Sequence, residues 1–365
     1  MDDNQKRFTD SETLFMRRAL ELAWSVKGYT SPNPSVGAVI VKDGKVIGEG
    51  STSPPGGNHA EINALNQAGS EARAGEMYVT MEPCSTQGRT PPCTDAIIES
   101  GIKRVIAAVR DSNPKEDGQG LKRLNEAGIK AEYGLMEREA AGINEDFSHW
   151  IKTGKPWVNL KLAMTLDCRI ADTAGDSKWI TNSDSRRYVH LLRSRHDMVC
   201  TGAGTVQKDN PSLNVRHIKR RSPIRGIFTY SSGPVQGSDM VINKQGIRTV
   251  VITSEDHPRG KETRGAAEYW YTGPGNSMEF IERFLKMAGD EDITSVMIEG
   301  GQNISSLFLE HNFVNRVYLF YGSKILGSGM NGIEMKNKKG ISESSVLKSP
   351  EHRSFGSDFM ITGTL

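Results

Sequence analysis

His59-Ala60-Glu61, Pro83-Cys84 and Pro91-Pro92-Cys93 are the residues of this 365-residue chain best suited to chemistry. One imidazole and two thiolates make a three-ligand set for Zn2+ and leave the tetrahedral ion a fourth position for water. Zinc lowers the pKa of such a water enough to supply hydroxide near neutral pH. Glu61 stands two residues beyond His59, so it can sit beside the water without ligating. A carboxyl there can take the water's proton and return it to a ring nitrogen and then to departing ammonia. Each piece alone has a plainer reading, because His-x-Glu arises by chance and buried free cysteines pack cores. Their order on a helix–strand–helix frame favours the metal.

The elements that must position these groups can be read on either side of them. Asp10 or Ser11 caps a helix running to about Lys27, and the β-branched run Val36 to Val41 turns at Asp43-Gly44 into a second strand. A helix covers His59 to Ala68, a strand Met77 to Thr80, and a helix Cys93 to Ser100, closed by Gly101. His59 and Cys93 thus fall at helix starts, where unpaired N–H groups favour a thiolate. A strand at Val105 to Val109, a helix at Leu121 to Ala127, a strand at Ile129 to Glu132 and one helix from Met136 to Lys152 complete a mixed α/β half. Thr153-Gly154-Lys155-Pro156 reads as a linker. Strands are expected beyond it at Trp157 to Leu162, Met198 to Thr201, Ile224 to Thr229, Thr249 to Thr253, Ser295 to Glu299 and Arg316 to Phe320, with a loop-rich polar stretch over Asn331 to Lys348. Two α/β domains, residues 1–153 and 154–365, are expected.

Composition narrows the partners. Hydrophobic residues at 36% and charged ones at 25% suit a globular protein and exclude a disordered or fibrous one. Lys+Arg 46 against Asp+Glu 44 leaves +2, too little for a basic field that grips nucleic acid. No apolar stretch is long enough for a membrane span, and the opening Met-Asp-Asp-Asn-Gln-Lys-Arg lacks a secretory core. Four cysteines in so long a chain are no disulfide scaffold. A cytoplasmic enzyme acting on a small molecule, with no nucleic-acid or membrane partner, is the expectation.

His-x-Glu followed by paired cysteines is the pattern of zinc nucleobase deaminases. That pattern has two residues between its cysteines, whereas eight lie between Cys84 and Cys93. The whole segment Thr80-Met81-Glu82-Pro83-Cys84-Ser85-Thr86-Gln87-Gly88-Arg89-Thr90-Pro91-Pro92-Cys93 resembles the long-spaced zinc segment of the bifunctional riboflavin-biosynthesis deaminase–reductase family. So does Pro32-Asn33-Pro34-Ser35-Val36-Gly37-Ala38-Val39. The resemblance implies a cytidine-deaminase-like α/β/α sandwich in which His59, Cys84 and Cys93 hold zinc, Glu61 shuttles the proton and Asn33 contacts the base. It also implies a dihydrofolate-reductase-like α/β domain that binds NADPH. Two stretches depart from it. Ser112 stands where proline is usual, and Lys115 to Gln119 lacks the usual small and apolar character, which is expected to affect a loop near the substrate rather than the zinc chemistry.

The second half is harder to read from its residues. Thr201-Gly202-Ala203-Gly204-Thr205 is either a phosphate loop or a plain turn, since it is no complete G-x-G-x-x-G. Ser295 to Glu299 running through Gly300-Gly301 into a helix near Asn303 would present free N–H groups to a cofactor phosphate. Trp157 to Asp167, Ser177 to Thr181, Leu192-Arg193 and Thr205 to Leu213 resemble the family's reductase domain. That likeness implies Ala163, Trp179, Thr205, Asp209 and Gly301, Gln302, Asn303, Ile304, Ser305, Ser306 and Leu307 at the cofactor. It puts Lys161, Ser177, Arg193, Leu213, Arg216 and Glu299 at the phosphorylated pyrimidine substrate. A homo-oligomer is the expected assembly. Arginines suit a phosphate because the guanidinium fork matches two oxygens. Arg193 and Arg216 as surface charges, or Trp179 as core, are the plainer alternatives. Cys168 replaces the family's usual glycine, and it and Cys200 are read as packing residues.

The implied activity is zinc-dependent deamination of a diaminopyrimidinone carrying a ribosylamino 5-phosphate, then NADPH reduction of its ribosyl group to ribityl. A deaminase of another base joined to a binding module is the second reading, and a zinc-stabilised scaffold the third. The scaffold requires a fourth protein ligand and leaves Glu61 without a role.

Overall fold

Thr9 starts the first helix, α1 (Asp10–Val26): its hydroxyl accepts from the Glu12 N–H while the Glu12 carboxylate accepts from the Thr9 N–H. This reciprocal box places the cap one residue earlier than expected. The computed structural model describes residues 8–365 except Arg89, Lys244, Arg259 and residues 337–339. Arg89 of the long-spaced segment, the opening heptapeptide and part of the polar stretch therefore lie outside the described residues.

The first unit, Met1–Gly154, is built on a five-stranded sheet. Strands β1 (Gly37–Lys42) and β2 (Lys45–Ser51) join at Asp43-Gly44, both at positive φ as a tight hairpin turn requires. Helix α2 (Ala60–Ala68) and strand β3 (Glu76–Met81) precede α3 (Cys93–Ser100), β4 (Arg104–Val109), α4 (Gln119–Glu126) and β5 (Lys130–Tyr133). The order is β2-β1-β3-β4-β5, with β1 antiparallel to both neighbours and β3, β4 and β5 parallel. One apolar cluster joins α2, α3 and α4 to one face, and another joins α1 to the other, giving an α/β/α sandwich. The single helix expected over Met136 to Lys152 is two, α5 (Glu137–Ile143) and α6 (Glu145–Thr153). They part at buried Asn144, whose side chain accepts from the Ser35 N–H at 2.8 Å and donates to the Ser35 carbonyl at 3.0 Å. Asn144 pairs with an extended segment as a neighbouring strand would, and helical periodicity carries no sign of that partner.

The second unit, Lys155–Leu365, holds a ten-stranded sheet. Its elements run β6 (Trp157–Thr165), β7 (Arg169–Ala171), α7 (Ser183–Ser194), β8 (Met198–Gly202), α8 (Ala203–Asp209), β9 (Ile224–Thr229), α9 (Asp239–Ile242), β10 (Thr249–Thr253), β11 (Lys261–Arg264), β12 (Ala267–Tyr271), α10 (Ser277–Gly289), β13 (Ser295–Ile298), α11 (Gln302–Glu310), β14 (Arg316–Gly322), β15 (Met330–Asn331), β16 (Lys348–Phe355) and β17 (Asp358–Thr364). The order is β11-β12-β10-β9-β8-β13-β6-β14-β17-β16, parallel from β12 to β14 and antiparallel at both edges. The edge hairpins β11/β12 and β16/β17 were not foreseen: β16 is exposed along nearly its whole length and shows no apolar alternation. Helices α10 and α11 pack on one face, α7, α8 and α9 on the other. No helix among the described residues is long and apolar enough to cross a membrane.

Candidate active sites

In the first unit, glycines bring α2 down onto β2. A Cβ on Gly50 would lie 2.1 Å from the Ala60 carbonyl oxygen, and one on Gly48 would lie 2.4 Å from that of Ala64. His59 caps α2 and Cys93 opens α3, while Cys84 comes from the irregular segment after β3. His59 Nδ1 is 3.6 Å from the Cys84 sulfur and 3.3 Å from that of Cys93, and the three ligand atoms all lie within 4.8 Å of one another. The Cys93 N–H donates to the Cys84 sulfur at 3.3 Å, so the helix start serves the other cysteine as well as its own.

The electrostatics suit a cation. Hydrogen bonds from Cys93 and His59 hold the Cys84 thiol down at about 5, and its thiolate drives the Cys93 thiol up. The same sulfur raises His59 to about 8. Binding a metal ion to such donors displaces their protons. The donor set of one nitrogen and two sulfurs fits zinc with a position to spare, and among the described residues the cluster has no fourth protein ligand. Glu61, in the first turn of α2, is buried, and that burial pushes its carboxyl up to about 7. A carboxyl at that value can both accept and return a proton at neutral pH. Asn33 is half-buried in the turn before β1, beside the Ser35 that Asn144 holds.

In the second unit three predicted residues meet. The Arg193 guanidinium of α7 grips Glu299 through both oxygens, Nε–Oε2 at 2.8 Å and Nη2–Oε1 at 2.9 Å. Its Nη1 donates to the Asn214 carbonyl at 3.0 Å. Lys161 of β6 donates to Glu299 Oε1 at 3.2 Å. Burial alone would raise the Glu299 carboxyl, yet Arg193 and Lys161 hold it well below the carboxylate range. Arg193 is no solvated surface charge, and its fork is committed to a carboxylate. Exposed Arg216 follows, and its backbone N–H donates to Nδ1 of His190, which burial and both arginines hold down at about 4.

The cofactor candidates gather at the carboxyl ends of parallel strands, where ligands of open α/β sheets bind. Thr201 to Thr205 is neither loop nor turn but the end of β8 running into α8, with Gly202 as cap. Gly301 caps α11, and a Cβ there would lie 3.5 Å from Thr205 Oγ1, which brings the two glycine segments together. Thr201 Oγ1 and Ser305 Oγ are buried with no hydrogen-bond partner, and Ser306 Oγ accepts from the Glu334 N–H. A helix start with its N–H groups, a glycine cradle and orphaned hydroxyls fit a nucleotide phosphate. Gln302 and Leu307 are half-buried, Asn303 exposed and Ile304 in the core. Ala163 is half-buried on β6, Asp209 is exposed at the end of α8, and Leu213 is buried at φ 44°. Ser177 is half-buried, while Trp179 is 61% exposed with the Arg186 guanidinium 4.4 Å from its ring, so it is not core.

Two expectations need correction. Cys168 is exposed at φ 62°, a turn residue and not a packing one, whereas Cys200 is buried as expected. The Lys115 to Gln119 stretch does reach the zinc segment, because Glu116 binds Ser85 and Thr86 directly after Cys84. A buried acid in a polar run carries no sequence signal of its partner.

The zinc-binding region of cytidine and deoxycytidylate deaminases matches residues 9–109, and the RibD C-terminal domain matches residues 156–361. A riboflavin biosynthesis protein RibD of Aquifex aeolicus is 40% identical over 348 residues, covering 95% of this chain and 96% of that protein. The chain belongs to the RibD family. The RibD of Escherichia coli is 36% identical across 94% of this chain and 96% of its own. A solved diaminohydroxyphosphoribosylaminopyrimidine deaminase/5-amino-6-(5-phosphoribosylamino)uracil reductase of Thermotoga maritima superposes with a TM-score of 0.87 at 37% identity, covering 97% of this chain and 98% of that one. As a RibD enzyme the protein is a bifunctional deaminase and reductase of riboflavin biosynthesis, with zinc and NADPH as cofactors. It acts on small phosphorylated pyrimidines.

Proposed function

We propose that the deamination belongs to Met1–Gly154 and the reduction to Lys155–Leu365. The substrates are 2,5-diamino-6-(5-phosphoribosylamino)pyrimidin-4(3H)-one and then 5-amino-6-(5-phosphoribosylamino)uracil. The carrying observation is the convergence of His59, Cys84 and Cys93 with buried Glu61 two residues from one ligand. Zinc, when bound, supplies a water activated for attack on the ring carbon that bears the 2-amino group. Glu61 carries one proton of that water to the ring nitrogen and then the second, from the new hydroxyl, to the leaving amine, so the carbonyl forms, water enters and ammonia leaves. Asn33 meets the base.

Reduction of ribosyl to ribityl adds a hydride at the sugar's C1 and a proton at its ring oxygen. NADPH supplies the hydride when bound. Thr205, Asp209, Ala163, Trp179 and Gly301 to Leu307 hold it, on the support of the glycine cradle and the orphaned hydroxyls. Lys161, which donates to Glu299 at 3.2 Å, is the proton donor. Ser177, Leu213 and exposed Arg216 meet the substrate, and Arg193 acts on it through Glu299. Four free cysteines fit the cytoplasm, and exposed Ile325 and Leu326 fit a homo-oligomer. The test supplies the diaminopyrimidinone phosphate with NADPH and follows ammonia and NADPH absorbance in one sample. Equal amounts of ammonia and oxidised cofactor are expected, and NADPH oxidation without ammonia would overturn the assignment.

A further inference from the structure

Cys84 is the one zinc ligand that no regular element carries. His59 and Cys93 are fixed by helix starts, but the run from Glu82 to Pro92 has neither helix nor strand among its described residues. Something other than a hydrogen-bond ladder must hold it to the precision a metal ligand needs.

Two buried carboxylates do so, one from each side. Glu82, two residues before Cys84, accepts from the N–H groups of Asp111 (3.1 Å), Gly118 (2.9 Å) and Leu121 (3.0 Å) and so anchors the zinc segment to the loop after β4. Glu116, from that loop, reaches back: it accepts from the Ser85 N–H and hydroxyl, both at 2.8 Å, from the Thr86 N–H at 3.2 Å and from the Thr86 hydroxyl. Gly120 closes the gap, since a Cβ there would stand 2.0 Å from the Pro83 carbonyl oxygen. Arg123 adds a bond to the Ser85 carbonyl at 3.1 Å. Glu116 is 5% exposed, and bonds of ionised carboxylates to N–H and O–H groups are short and strong.

We propose that Glu116 is a positioning residue for the zinc site: by gripping Ser85 and Thr86 it fixes Cys84 at its distance from His59 and Cys93. The inference deepens the reading of the zinc site and rests on it. Glu116 lies in the polar Lys115 to Gln119 stretch, and its grip consists of directed bonds to the chain beside the ligand. Outer partners of metal ligands, when removed, typically cost about 10–100-fold in metal affinity or activity.

The test uses the full chain with E116V, which removes the acceptor, and E116Q, which keeps one. Zinc release to a chelator should quicken about 10–100-fold in E116V and less in E116Q. The Co2+-substituted variant should show a shifted thiolate charge-transfer band. The kcat for ammonia release should fall by a larger factor than KM changes, since the proposed role acts through Cys84. NADPH oxidation with the deaminated substrate should be unchanged, which reports that the second unit is folded, and far-UV circular dichroism equal to the parent's reports the same of the first. Should E116V lose both activities, E116Q decides by the same readings. A folded variant with unaltered zinc release and an unaltered Co2+ band would overturn the proposal. A parent enzyme that takes up neither zinc nor Co2+ would instead overturn the zinc site itself.

Discussion

The zinc cluster and the Lys161–Arg193–Glu299 cluster are both largely shielded from solvent, and they differ in the chemistry of their donors. The first gathers two sulfurs and a carboxyl around one imidazole, with Cys84 held as a thiolate. The second sets two cations on one carboxylate, an excess of one positive charge. An excess charge shielded from water is costly unless something compensates it, so the second cluster announces the sign of its ligand, while the first does so through its soft donors. The sulfur-rich site calls for a metal cation. The arginine–lysine site calls for an anion, and both the substrate phosphate and the cofactor qualify.

The comparison breaks most visibly at Glu61. Glu61→Gln should keep zinc yet slow ammonia release about 10^2–10^4-fold, the usual worth of a positioned acid–base. NADPH oxidation should persist, and metal analysis alongside both assays checks all three outcomes. Arg193→Ala is the counterpart, for it leaves Glu299 with Lys161 alone. Breaking a buried pair costs about 3–5 kcal/mol, so the second unit should melt earlier and lose NADPH oxidation while deamination survives. Simultaneous loss of both activities in a folded variant would refute independent sites.

Acid sharpens the contrast. His190 titrates at about 4 when folded, below its ordinary value. Between about 6.5 and 4 the unfolded chain binds a proton that the folded one refuses, so stability falls as the pH drops through that window. His190→Gln should flatten this slope in melts of the second unit, and an unchanged slope would assign it elsewhere. The smallest effect belongs to Cys168→Gly. A side chain at φ 62° is strained, and relief less the glycine's greater chain entropy leaves about 0.5 kcal/mol of stabilisation. Calorimetry should show a slightly higher Tm with both activities intact.

Residue types and short spacings were enough to pick out His59, Cys84 and Cys93, which the fold brings together, the Asp43-Gly44 hairpin and the alternating elements, because ligand chemistry and turn geometry are local properties. His59 and Glu61 need only a helix start to stand together. The Lys161–Arg193–Glu299 cluster is different: its members come from β6, α7 and the segment after β13, spread over 138 residues, and nothing in the neighbourhood of any one names the others. The edge hairpins, the break at Asn144 and the grip of Glu116 on Ser85 and Thr86 are of the same kind. Each depends on which distant backbone a polar side chain meets when the sheets assemble. The chain's own letters chose the metal and the reaction it serves, whereas tertiary packing chose which buried charges would face one another, since pairing across the fold is set by three-dimensional proximity and leaves no periodic trace.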